Sequence, residues 1–267
     1  DYIINNQRVE FYIDSFRLSE RDTNYVDVIT NRYYAERQPY LWINRWGISL
    51  CADTLLQWLV EDRKDGLPEQ RFFLRRINEN LNRMRECDFD QIHTVSRTLA
   101  TLEYYLTKSY LRYCSGQRFG FVNPNKLFNH LEEMENDSLR SHYRTLFGLP
   151  VETIDKAFLS QAFQAIREGR LNRFLVSVQP DDASYKAIYK ELQRTGLTRS
   201  QHRLLSINLE RRRWRIKLSH EGRFMWINLP TQQLQAFENN IPILDMKVCL
   251  GSQNSKTPLL AGSIMYL

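Results

Sequence analysis

No run of apolar residues in this 267-residue chain approaches the roughly twenty that a membrane-crossing helix needs. Its first residues, Asp1 to Asn6, carry neither the basic segment nor the apolar stretch of a secretory signal, and no initiator Met precedes them. The expectation is that the natural N-terminus has been removed, which leaves room for a signal or anchor upstream. The four cysteines, Cys51, Cys87, Cys114 and Cys249, lie far apart with no C-x-x-C pair, which excludes a zinc ribbon. Four separate buried thiols are expected; a Cys87–Cys114 bridge would require the intervening segment to fold back on itself. There is no Gly-rich phosphate loop, no G-x-S-x-G elbow and no S-x-x-K set. The histidines His93, His130, His142 and His202 form neither an H-E-x-x-H nor an E-x-x-H pair, and all four fall on expected helices. His130 with Glu132, Glu133 and Glu135 reads as a solvated helix face. No catalytic, cofactor-binding or metal-ligating residue is assigned, and no cofactor is expected.

Charge of one sign, by contrast, is concentrated. Between Leu197 and Leu218 stand Arg199, Arg203, Arg211, Arg212, Arg213, Arg215 and Lys217 against the single acid Glu210, an excess equal to the whole formal charge of +6. Such a block can attract nucleic acid, an anionic membrane or another polyanion. No aromatic ladder accompanies it, so no nucleic-acid partner is expected, and the favoured reading is a helix end whose arginines pair with carboxylates of a neighbouring element.

Most of the chain has helical periodicity. Leu50, Leu55, Leu56, Leu59 and Val60 recur at mostly three- and four-residue steps, and Asp65-Gly66-Leu67-Pro68 breaks that helix. A second helix carries Phe72, Leu74, Ile77, Leu81 and Met84. A third spans about 90–113, with Ile92, Val95, Leu99, Leu102, Leu106 and Tyr110 on one face. Further helices are expected at 125–135, 138–146, 151–167, 181–195 and 198–213, the last two capped by Asp182 or Ser184 and by Thr198 or Ser200. Residues 9–13, VEFYI, alternate weakly and suggest a short strand or arm. Past Gly222 the period becomes strand-like, with strands at 224–229, 232–238 and 243–250, a tight Asn239-Asn240 turn, and a fourth strand at 262–267. The fold class is α+β: a mainly helical domain, 1–197, followed by 198–267, a linking helix and a short antiparallel β-meander.

The meander region carries a resemblance. Asn208, Glu210, Arg211, Arg213 and Trp214 precede a strand ending Ile227-Asn228-Leu229-Pro230, and then come Val248, Gly251, Thr257 and Pro258. In that order and spacing these residues resemble the large, scaffold-bearing L,D-transpeptidases of the YcbB-like group, whose catalytic domain is of the YkuD type. Tyr33 to Trp42, Asp65-Gly66-Leu67 and Phe174 to Leu192 resemble parts of that group's scaffold more weakly. Residues 193–207 leave no room for the small peptidoglycan-binding module that some members insert. The resemblance implies a periplasmic or envelope protein that acts on peptidoglycan stem peptides, in which a cysteine thiolate activated by a histidine forms a thioester that a second stem amine resolves. The histidine and S-x-G-C-[IV]-R motif that would carry this chemistry do not occur in the chain, so the catalytic β-domain is expected to be begun but incomplete and activity is left open. Cys249, with His220 as its nearest histidine candidate, is read as a buried strand cysteine rather than a nucleophile. Thr257 and Pro258 are expected to shape a turn. The alternative function is a non-catalytic module that docks on peptidoglycan or another envelope protein through the basic 199–217 segment.

Overall fold

The computed structural model describes residues 4–20, 24–61, 69–134, 142–218, 221–252 and 254–264, so the break expected at residues 65–68 lies outside the described residues. The fold is α+β, mainly helical, with small sheets. The chain forms two compact units, Asp1–Phe121 with Thr153–Trp214, and Val122–Glu152 with Arg215–Leu267.

The first unit is built around one helix. Helices α1 (Asn6–Ser19) and α2 (Tyr25–Ala35) are followed by strands β1 (Ile43–Asn44) and β2 (Gly47–Ile48), which form a hairpin. Helices α3 (Cys51–Glu61), α4 (Leu74–Glu86) and α5 (Val95–Phe119) come next. From Thr98 to Gln117 every residue of α5 except Arg112 is buried. A helix buried on all sides must be surrounded, and α1, α2, α3 and α4 all pack on it. Thr94 caps its start by accepting from the Arg97 N–H, which sets the beginning at Val95 and leaves Ile92 exposed outside the helix. The VEFYI segment lies within α1, not in a strand: Val9, Ile13 and Phe16 recur at steps of four and three and face the core, and Asn5 caps the helix.

After the excursion into the second unit, α7 (Lys156–Arg167), α8 (Leu171–Ser177), α9 (Ala183–Leu192) and α10 (Arg199–Arg213) complete the first. Asp155 caps α7, so that helix begins five residues later than expected. Asp182 caps α9, and Thr198 forms a capping box with Gln201 at the start of α10. Helix α10 packs on α9 and α5.

The second unit is assembled from pieces far apart in sequence. Helix α6 (Pro124–Phe128) is short. Strands β3 (Glu133–Met134) and β4 (His142–Tyr143) pair antiparallel, and β5 (Phe147–Gly148) pairs in parallel with β9 (Leu259–Leu260). No helix therefore occupies 142–146, where the second half of one was expected; 138–141 lie outside the described residues. Asn129 fastens β5 by accepting from the Leu146 and Phe147 N–H groups at 2.8 Å each and donating to the Phe147 carbonyl. Residues 150–152 pair with 215–217 through Glu152 N–H to the Arg215 carbonyl and Lys217 N–H to the Pro150 carbonyl. The largest sheet is the meander β6 (Arg223–Asn228), β7 (Gln233–Glu238) and β8 (Ile241–Lys247). Asn239 and Asn240, with φ of 50° and 66°, make its second turn as expected. The extra strand is at 259–260 rather than 262–267, and it joins β5 instead of the meander; 265–267 lie outside the described residues.

Candidate functional site

The residues that carry the family resemblance fall into both units. In the first, the end of α10 is locked to the core by one arginine. Arg213 is 1% exposed, and its guanidinium donates from Nε to Gln117 Oε1 and from Nη2 to the Tyr185 hydroxyl, each at 3.0 Å. Glu210 Oε2 stands 3.6 Å from its Nη1, and the Phe121 and Tyr185 rings lie against it. A buried charge is tolerable only when paired and hydrogen-bonded, and this one is both. One helical turn back, Leu209 is fully buried. Trp214 donates from its indole nitrogen to Glu210 Oε1 at 3.3 Å and covers Gly120. A Cβ at Gly120, where φ is +90°, would come within 2.5 Å of the Trp214 ring, so this crossing requires glycine.

The rest of the basic block divides. Arg212 pairs with Asp182 at 2.6 Å, and Lys217 reaches Glu152 at 3.8 Å. Burial pushes the Asp182 carboxyl up, yet Arg212 and the backbone N–H groups of Tyr185 and Ser184 together hold it below the usual range. The expected pairing of arginines with carboxylates of a neighbouring element thus holds for Arg212, whereas the carboxylate beside Arg213 belongs to its own helix. Arg199, Arg203 and Arg211 stay exposed, with no ion pair among the described residues.

Two buried polar clusters hold the first unit together. Glu103, at the centre of α5, accepts from three consecutive backbone N–H groups, Leu41 at 2.6 Å, Trp42 at 2.9 Å and Ile43 at 3.0 Å, and from the Tyr34 hydroxyl at 2.8 Å. Burial raises its pKa, and these donors pull in the opposite direction. Burial and the neighbouring Glu103 push the Tyr34 hydroxyl well up. The Glu103 carboxylate and the bond from Trp42 Nε1 to Thr107 at 2.9 Å clamp the root of the β1–β2 hairpin onto α5. In the second cluster Lys108, wholly buried, meets Glu20 at 2.5 Å, and Arg112 forks onto both oxygens of Asp27. Every charge in these clusters is satisfied from within, which fits structural roles.

In the second unit, Thr257 accepts from the Gly251 N–H at 2.8 Å, and a Cβ on Gly251 would strike the Ser255 carbonyl at 1.9 Å. These motif residues close a tight loop, and Thr257 shapes it as expected. Ile227, Asn228 and Pro230 belong to the end of β6 and the turn after it.

Cys249, expected as a buried strand cysteine, is placed differently. Cys249 is exposed and stands beyond the end of β8, and His220 lies outside the described residues. Of the other cysteines only Cys114 is buried, and burial drives its thiol well up in pKa; Cys51 is half-buried and Cys87 exposed at the end of α4. All four are free thiols. Among the described histidines only His202 sits within a helix. His142 is in β4, His93 bonds Asp90 at 2.9 Å in the turn before α5, and His130 follows α6 against the Tyr143 ring. Among the described residues no group of three or more His, Cys, Asp or Glu stands close enough to hold a metal ion.

The family model of the scaffold domain matches residues 28–192, well over half the chain. The chain belongs to the scaffold-domain family. No curated protein and no solved structure matches it. The matched span of this scaffold-domain protein runs from α2 to the end of α9. Gln117 and Tyr185 lie inside that span, so the Arg213 clamp joins α10 to the scaffold domain proper. In the sequence Arg213 stands in a charge run, and only the Arg213-Trp214 pair, part of the segment that carries the resemblance, forewarns of that clamp.

Proposed function

We propose that this chain is the scaffold region of a peptidoglycan L,D-transpeptidase, together with the opening strands of its catalytic β-domain. The observation that carries the reading is that the scaffold-domain match and the transpeptidase-like segment are physically continuous. Arg213 and Trp214, the end of the Asn208–Trp214 segment, are tied to Gln117, Tyr185 and Gly120 of the scaffold. In this reading the helical unit supplies a rigid base, and the meander β6–β8 is the first part of the sheet that would hold the nucleophile. The site of action is the periplasm or cell envelope, and the substrates are stem peptides.

Chemistry of this class needs a thiolate, a base to generate it and backbone donors for the oxyanion. The reading therefore assigns these groups to sequence downstream of Pro258. The test is to read the coding sequence beyond Leu267 and to incubate the protein at its full natural length with a disaccharide-tetrapeptide. A histidine followed by S-x-G-C, and an acyl adduct on that cysteine by intact mass spectrometry, are expected. Absence of both the adduct and the cross-linked product would overturn the reading.

A further inference from the structure

The exposed face of α10 combines arginines that have no ion pair among the described residues with bare aliphatic side chains. At roughly 100° per residue, Arg199, Arg203, Ile207 and Arg211 follow one another along a single slowly drifting strip, with Ser200 and Leu204 beside it. Leu204 is 59% exposed and Ile207 41%, and the three arginines are exposed and without ion pairs among the described residues. The opposite face is spoken for, since Leu209 and Arg213 are buried and Arg212 is paired with Asp182. Helix α10 is thus held rigidly from behind while presenting a strip rich in positive charge and aliphatic surface.

We infer that this face docks on an anionic phospholipid bilayer. Guanidinium forks match phosphate oxygens, and the long arginine stems let the charges sit at headgroup level beside apolar side chains that lie deeper. Ile207 and Leu204 between the arginines suit that layered arrangement. They would find no partner along a nucleic-acid backbone, where aromatic side chains would be needed to stack on bases, and α10 has no Phe, Tyr or Trp. A single convex helix face also offers no groove to grip a peptide, whereas it can lie along a plane. The inference rests on α10 alone and stands or falls apart from the transpeptidase reading.

The experiment is co-sedimentation of the 267-residue protein with vesicles of phosphatidylcholine alone and of phosphatidylcholine with phosphatidylglycerol. Binding is expected only to the second, and it should weaken steeply with added salt. Each arginine contributes about fivefold near an anionic surface, so the triple variant Arg199→Gln/Arg203→Gln/Arg211→Gln should bind about a hundredfold more weakly. Leu204→Ser/Ile207→Ser should also weaken binding at unchanged charge. Circular dichroism melting should match the parent for both variants, because none of the five side chains is buried. Equal binding to both vesicle types, or undiminished binding by the triple variant, would overturn the inference. So would retention on a DNA duplex without retention on vesicles.

Discussion

Helix α5 and the β6–β8 meander are similar in apolar content and opposite in what they do with it. Almost all of α5 is buried, and even its ionic residues Glu103 and Lys108 find partners inside the first unit. The meander also has a continuous apolar face, formed by Met225, Ile227, Leu234, Ala236, Leu244 and Met246, which the register aligns across three strands. Met225 and Ile227 on that face are nonetheless about half exposed, at 49% and 50%, as are Leu244 and Met246 of β8. A sheet of this kind normally buries such a face against another layer. The contrast teaches that the helical unit completes its own core, while the meander has the surface of a layer that packs against something further. This agrees with the proposal that it opens a larger β-domain.

The comparison is sharpened most by breaking the helical unit at its centre. Glu103→Ala would orphan the buried N–H groups of Leu41 and Trp42 and the half-buried one of Ile43, while the Tyr34 hydroxyl would keep Thr107 at 2.7 Å, and the change should cost about 4 kcal/mol. Urea unfolding followed by the helical circular dichroism signal measures it. A loss well under about 1 kcal/mol would mean that water replaces the carboxylate without penalty, contrary to its complete burial. Next comes a matched pair of truncations. Leu106, fully buried in α5, should cost about 3 kcal/mol on conversion to alanine, whereas Ile227→Ala in β6 should cost under about 1 kcal/mol because that side chain is half in water already. Equal losses would erase the distinction between the two regions.

Much of this arrangement was legible in residues with local chemistry. Asp182 and Thr198 announced helix starts, Asn239-Asn240 announced a primed turn, and the change of period after Gly222 announced the meander. Misreadings occurred where the signal was short or the partner distant. Five residues of α1 were too few to separate alternation from steps of three and four. Strands β3, β4, β5 and β9 are two residues each, below any period, and β5 meets β9 across more than a hundred residues. The union of 122–152 with the C-terminal strands was therefore invisible, since it depends on Leu146, Pro150 and Glu152 meeting the remote backbone of Leu259, Lys217 and Arg215. Arg213 was hidden for a different reason. A charge run suggests solvent, and nothing in its own neighbourhood names Gln117 or Tyr185 as partners. The resemblance carried by Asn208–Trp214 rests on several residues in order, a kind of signal that a single buried arginine cannot give.

The smallest effect tests whether the meander holds its register in solution. Asp245 of β8 accepts from Gln233 at 2.7 and 2.8 Å and from Gln235 at 3.0 Å, both on the facing strand β7. The Gln233 amide, then that of Gln235, hold its carboxyl below the ordinary range against a smaller opposing effect of desolvation. Since its folded pKa is depressed, the stabilisation is present above the ordinary carboxylate pKa and is lost as the pH falls through the folded value. Carboxyl-detected NMR titration should find Asp245 titrating low, and Gln233→Ala should bring it back towards the ordinary aspartate value. In the helical unit, the Asp90 carboxyl, bonded to His93, should titrate near about 2 in both proteins and so serves as the internal reference. If Asp245 instead titrates normally in the parent while Asp90 stays low, the meander requires a covering layer even to keep its strands in register. The difference between the two regions would then be one of folding as well as burial.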